Sequence, residues 1–155
     1  MAFTADYEVL FERLDAELQT APEPTRNLFA KIIGSACARI PVLDKAGKTE
    51  RIDRLIEAEA WTECAAVLTE TELPGWRLRR LVYDSGEWLC TLSRQPNVPV
   101  EFDDTVDARH EAPALAILRA FVEARRRADA VQPMRSALPR IWPDRSNAIC
   151  CDNFA

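Results

Sequence analysis

The chain has 155 residues, of which 48% are apolar and 29% charged, with a net charge of −5. A single domain of this length buries about 70% of the surface its unfolded chain exposes, so it needs neither a disulfide nor a metal to fold. No apolar run reaches the roughly 20 residues of a membrane span. The acidic total argues against nucleic acid as a non-specific partner.

Charge is unevenly placed, at net −6 over residues 1–75, −2 over 76–111 and +3 over 112–155. An acidic front and a basic back attract each other, within one molecule or between two. The opening MAFTADYEVL has no basic run followed by an apolar core. The expectation is therefore no secretory leader and a cytoplasmic location. Five cysteines, an odd number without C-x-x-C spacing, read there as reduced thiols.

Taken in order, Thr4 is placed to cap a helix running to about Thr20, with Tyr7, Leu10, Phe11, Leu14 and Leu18 in one apolar stripe. That stripe reads first as intramolecular core and second as a surface for a partner helix. Pro22 and Pro24 break the chain. Thr25 caps a second helix, expected to reach Ile40 and to stop at Pro41. Asp44 to Gly47 reads as a turn, and Thr49 caps a third helix bearing Ile52, Leu55 and Ile56. Helix is expected to continue from Ala58 to Thr71, with a bend near Glu59, until Pro74-Gly75 ends it.

Residues 76–93 carry the clearest β signal in the chain, WRLRRLVYDSGEWLCTLS. Asp84-Ser85-Gly86 fits a three-residue loop closed by a glycine at positive φ, which pairs Tyr83 with Glu87. Alternation then puts Trp76, Leu78, Val82, Trp88, Cys90 and Leu92 on one core-facing side, interrupted by Arg80. Either Val100–Phe102 or Thr105–Arg109 supplies a third strand. Pro113 starts a last helix to about Ala128, with Leu115, Leu118, Phe121 and Val122 against the sheet. Arg125, Arg126 and Arg127 fall at its expected C-terminal end, where the helix dipole favours cations. The resulting fold is α+β and mostly helical. A small antiparallel meander of two or three strands packs on helices in a domain spanning residues 1–130. Residues 131–155, with Pro133, Pro139 and Pro143, read as an extended tail. Its spaced Trp142, Ile149 and Phe154 suit docking on the domain or on a partner.

Motifs for chemistry are sparse. Asp103-Asp104-Thr105-Val106-Asp107 resembles the D-D-x-x-D site of isoprenyl synthases, where two carboxylates one helical turn apart bridge Mg²⁺ to a diphosphate. The resemblance covers five residues, in a loop or strand context rather than a helix. It would imply a Mg²⁺-diphosphate site; the plainer reading, a solvated acidic loop that caps or precedes the last helix, is preferred, and no metal is expected. Cys37, Cys64 and Cys90 read as buried small apolar side chains. Cys150 and Cys151 with His110 are one ligand short of a closed zinc site. No P-loop, dinucleotide fingerprint or G-x-S-x-G elbow is present, so no cofactor is expected.

Three functions follow in order of preference. The first is a non-catalytic protein-interaction or regulatory module. It would bind an unidentified protein or its own copy, with Trp76, Arg77, Arg79, Tyr83, Trp142 and Phe154 as contacts. The second is a small-ligand binder or enzyme with Asp103, Asp107, His110 and Cys90 lining the mouth of the sheet. The third is nucleic-acid binding through Arg77, Arg79 and Arg125–Arg127.

Overall fold

The computed structural model describes residues 2–136, with side chains over residues 5–129. In chain order the elements are α1 (Ala2–Thr20), α2 (Arg26–Ala36), α3 (Arg39–Lys45), α4 (Glu50–Glu57), α5 (Trp61–Glu72), β1 (Arg77–Asp84), β2 (Glu87–Ser93), a 3-10 turn (Val100–Phe102), β3 (Thr105–His110) and α6 (Pro113–Ser136). The strands form one antiparallel sheet in the order β1-β2-β3. The α+β class and the small meander packed on helices hold.

The sheet and the helices meet on α6. Leu115, Ala116, Ile117, Leu118, Ala120 and Phe121 on successive sides of this helix are all fully buried. A helix that is apolar all round belongs inside a core. Here it packs on β2 and β3 on one side and on α1 and α5 on others. Phe11, Leu14 and Leu18 of α1 are buried in this core, so the N-terminal stripe is internal packing and not a partner's surface. Only Tyr7, at the outer end of the stripe, is exposed.

Several local expectations change. Thr25 does cap α2, its hydroxyl accepting from the backbone N–H of Leu28 at 3.2 Å. That helix ends at Ala36, and α3 starts at Arg39 with Pro41 in its first turn. A proline costs nothing there because that N–H has no partner within the helix. The bend near Glu59 is a full break, with Glu59 at φ 55 between α4 and α5. Thr105–His110 supplies the third strand, whereas Val100–Phe102 is a 3-10 turn. α6 runs to Ser136, so residues 131–136 are helix, not the start of a tail. Trp142, Cys150, Cys151 and Phe154 lie outside the described residues.

The largest correction is the register of the hairpin. Asp84 pairs with Glu87, which leaves a two-residue loop of Ser85 at φ 54 and Gly86 at φ 91. Two positive φ values make a type I′ turn, whose twist matches that of the strands. Tyr83 therefore sits opposite Trp88 and Val82 opposite Leu89, one residue from the expected pairing. A bulge between Leu78 and Arg80 takes up the difference, so Leu78 still meets Leu92. Arg80 and Val82 consequently turn away from the helices with Thr91 and Leu89. Cys90, Leu92, Leu81 and Trp88 share the inner face. Of the six residues expected on the dry side, Trp76, Cys90 and Leu92 are buried and Trp88 is half-buried. Leu78 is 38% and Val82 39% exposed.

Candidate functional site

β1 extends beyond the helical layer. Six of its eight residues are exposed, including Leu78, Val82 and Tyr83. Tyr83 is 63% exposed and rests against the Trp88 ring, with centroids 5.5 Å apart. The hairpin thus offers apolar surface on a paired ribbon rather than on a loop.

The base of the ribbon is fixed by a buried carboxylate. Asp103 accepts from Arg79 at 2.6 Å, from the Ser93 hydroxyl and from the backbone N–H of Gln95 at 2.8 Å. The Arg79 guanidinium also donates to the Val98 carbonyl at 3.3 Å. The bulge at Arg79 thereby acquires a cause, since it aims this side chain at the loop leading into β3. Burial favours the protonated form of Asp103. The hydrogen bonds from Ser93, Gln95 and Arg79, with the Arg79 charge, outweigh it and hold the carboxyl below its ordinary value.

The four residues of the expected polar site do not converge. Asp103 has its oxygens engaged by the lock just described. Asp107 lies on the outer face of β3 and accepts from the Thr91 hydroxyl at 2.5 Å. Cys90 lies on the inner face beneath α6, with its thiol pushed up to about 12 by burial first and by Asp107 second. A thiol with that value carries almost no thiolate near neutral pH and is no nucleophile. His110, opposite Trp88, uses Nδ1 to accept the Ala112 N–H at 2.9 Å. Burial likewise raises the thiols of Cys37, to about 12, and Cys64, to about 11. No cluster of three metal-ligating side chains occurs among the described residues. The paired carboxylates of the D-D-x-x-D run sit in a loop and a strand, with Asp103 already paired to Arg79.

The three consecutive arginines of α6 are similarly engaged. Arg125 donates to the Ala36 carbonyl and pairs with Asp129. Arg126 pairs with Glu123, and Arg127 with Glu123 and Asp104. All three lie within α6 rather than at its end, so the dipole rationale for them lapses. Arg77 is exposed. Trp76, expected beside it, is buried with the Arg94 guanidinium 5.8 Å from its ring. A groove of about 620 Å³ lies between α1, α6 and β3, bordered by Phe11, Asp15, Asp107, Arg119 and Arg126. Of the four proposed polar residues it takes in Asp107 alone.

One important residue lies outside the expectations drawn from the sequence. The Glu72 carboxylate, at the end of α5, accepts from the backbone N–H groups of Ala38, Arg39 and Ile40 at 2.7–3.1 Å. These are the donors that the start of α3 would otherwise leave unpartnered. The signal for it was spacing. Glu72 follows Leu68 by four residues and so extends the buried stripe of α5, where a carboxylate needs a partner.

No protein-family model, curated protein or solved structure matches this chain. Among the described residues, no helix is long and apolar enough to cross a membrane.

Proposed function

We propose that this chain is a non-catalytic protein-interaction module that docks through the β1–β2 hairpin. The observation that carries the proposal is the ribbon itself: Leu78, Val82 and Tyr83 exposed on one strand whose base is anchored by Asp103 and Arg79. An exposed sheet edge with alternating apolar side chains is a recurrent way of binding an extended segment or another sheet. The scattering of Asp103, Asp107, His110 and Cys90 speaks against the enzyme or small-ligand reading. The ion pairs of Arg79, Arg125, Arg126 and Arg127 speak against nucleic acid. A cytoplasmic setting, and a supporting role for residues 137–155 in holding the partner, belong to the same proposal.

Affinity capture with the full chain as bait tests it, beside Tyr83→Lys and Val82→Lys baits and a chain ending at Ser136. The expected result is a retained protein that both lysine variants lose while their unfolding transitions stay cooperative. Retention unchanged in both would overturn the hairpin as the docking element.

A further inference from the structure

The sheet has two edges, and they are treated differently. On β3, Arg119 of α6 donates to the Arg109 carbonyl at 2.7 Å and Arg127 donates to the Thr105 carbonyl at 2.9 Å. Two of the outward carbonyls of that strand thus have partners from its own core helix. No comparable cover exists for β1 among the described residues.

The same two bonds fix which groups of β1 face outward. In an antiparallel ladder, successive residues alternate between pointing at the partner strand and pointing away. Thr105 and Arg109 point away from β2, so Val106, Ala108 and His110 point towards it. Their partners Leu92, Cys90 and Trp88 are thereby committed to β3. Leu89 and Thr91 must then serve β1, where they meet Val82 and Arg80. The N–H and C=O groups of Leu81 and Tyr83 are left on the open edge. Two residues of one strand with the same alternation define a short template for a fourth strand.

We infer that the occupant of this edge is the β1 strand of a second copy of this chain, paired antiparallel across a two-fold axis at Val82. This rests on the hairpin being the docking element and names the partner. The register is dictated by backbone and charge together. For Leu81 to exchange both hydrogen bonds with Tyr83 of the other copy, Val82 must stand opposite Val82. Arg80 then stands opposite Asp84, twice by symmetry. Arg80, Val82 and Asp84 all lie on the face turned from α6, so both charge pairs flank a central apolar pair. Opposite charges placed across strands favour pairing and like charges oppose it. The register centred on Leu81 instead sets Arg80 against Val82 and leaves Asp84 without a basic partner. The stretch from Arg80 to Asp84 contains no proline, and the bulge sits just before it at Arg79, so neither of these edge-blunting devices falls within it. The product is a continuous six-stranded sheet with a self-complementary, isologous seam.

Light scattering on the full chain after size exclusion tests this, because the charge pair can be exchanged. The native chain is expected to approach twice 17.5 kDa as its concentration is raised towards about 1 mM. Arg80→Asp sets carboxylate against carboxylate at both ends of the seam and is expected to weaken association by about tenfold. The double variant Arg80→Asp/Asp84→Arg restores opposite charges and is expected to recover the native mass. Asp84 also lies 3.6 Å from Arg109, an exposed pair that the exchange breaks, so thermal unfolding is followed in all variants. A native chain that stays at the monomer mass, or an Arg80→Asp defect that the exchange does not repair, overturns the two-fold seam. Under either outcome the hairpin still stands as a docking element if the lysine baits lose a retained protein. If they do not, both readings fall.

Discussion

α6 and β1 lie in the same molecule a few residues of sheet apart, and they are built to opposite rules. α6 is buried on nearly every side between Pro113 and Ala124, touching both strands and helices. β1 keeps six of eight residues exposed and is held mainly by its ladder to β2 and by Arg79. The contrast separates what folds the chain from what the chain presents. Substitutions in α6 should unfold the protein, whereas substitutions near the tip of β1 should leave it folded with an altered surface.

Phe121→Ala should break the first half of the contrast most severely. The ring is fully buried at the centre of α6. Its removal should cost about 3–5 kcal/mol, a large share of a typical domain's stability of about 5–15 kcal/mol. Urea denaturation followed by circular dichroism measures the loss. A cost under about 1 kcal/mol would mean that α6 is not the centre of the core.

Glu72→Ala comes next. It strands three backbone donors at the start of α3 and should cost about 2–4 kcal/mol, because buried or half-buried donors that lose their acceptor pay their desolvation. Glu72→Gln, which keeps one acceptor oxygen, should recover part of that. If both variants match the native midpoint, the carboxylate is not what seats α3.

These two residues differ in how readable they were. The apolar spacing from Leu115 to Val122, opened by Pro113, made α6 plain, and Thr25 announced α2. The true length of α6 was hidden because Pro133 suggests an ending, yet the helix passes through it. The hairpin was readable as an element and misread in register. Ser85 takes a positive φ that residues other than glycine seldom adopt, so a loop with glycine alone in that state was the natural choice. The bulge at Arg79 depends on Asp103, 24 residues further on, and no local pattern announces such a tie. One clue was nonetheless present. The expected register turned Arg80 into the core, and an unpaired inward charge is itself a sign that alternation has slipped. The polar site failed for a related reason. Asp103, Asp107, His110 and Cys90 are close in sequence or in the sheet, but pleating sends Asp107 and Cys90 to opposite faces.

Asp103→Asn sharpens the contrast where the two regions join. The folded-state pKa of Asp103 lies below its ordinary value of 3.8. Its contribution to stability is then complete above the unfolded value and is lost as pH falls through the folded one. The difference in urea midpoint between native and Asp103→Asn proteins should therefore be widest near pH 7 and should narrow below about pH 4. A difference that stays constant down to pH 3 would mean that Asp103 contributes as a neutral acceptor.

The smallest effect on folding should come from Val82→Ala, and it is the most informative. Val82 is 39% exposed on the outer face, opposite Leu89, and removing its two methyl groups should cost about 0.5 kcal/mol or less in the monomer. At the proposed two-fold axis the same substitution is counted twice, because Val82 meets its own copy there. Association should weaken while the unfolding midpoint, measured at a concentration where the chain is monomeric, barely moves. A residue important only to the core would show the reverse, with stability falling and association following it. Comparing the two midpoints, of unfolding and of association, thus assigns Val82 to the surface or to the fold without reference to any partner's identity. If the association midpoint is unmoved while unfolding shifts by more than about 1 kcal/mol, β1 belongs with α6 and the division between them fails.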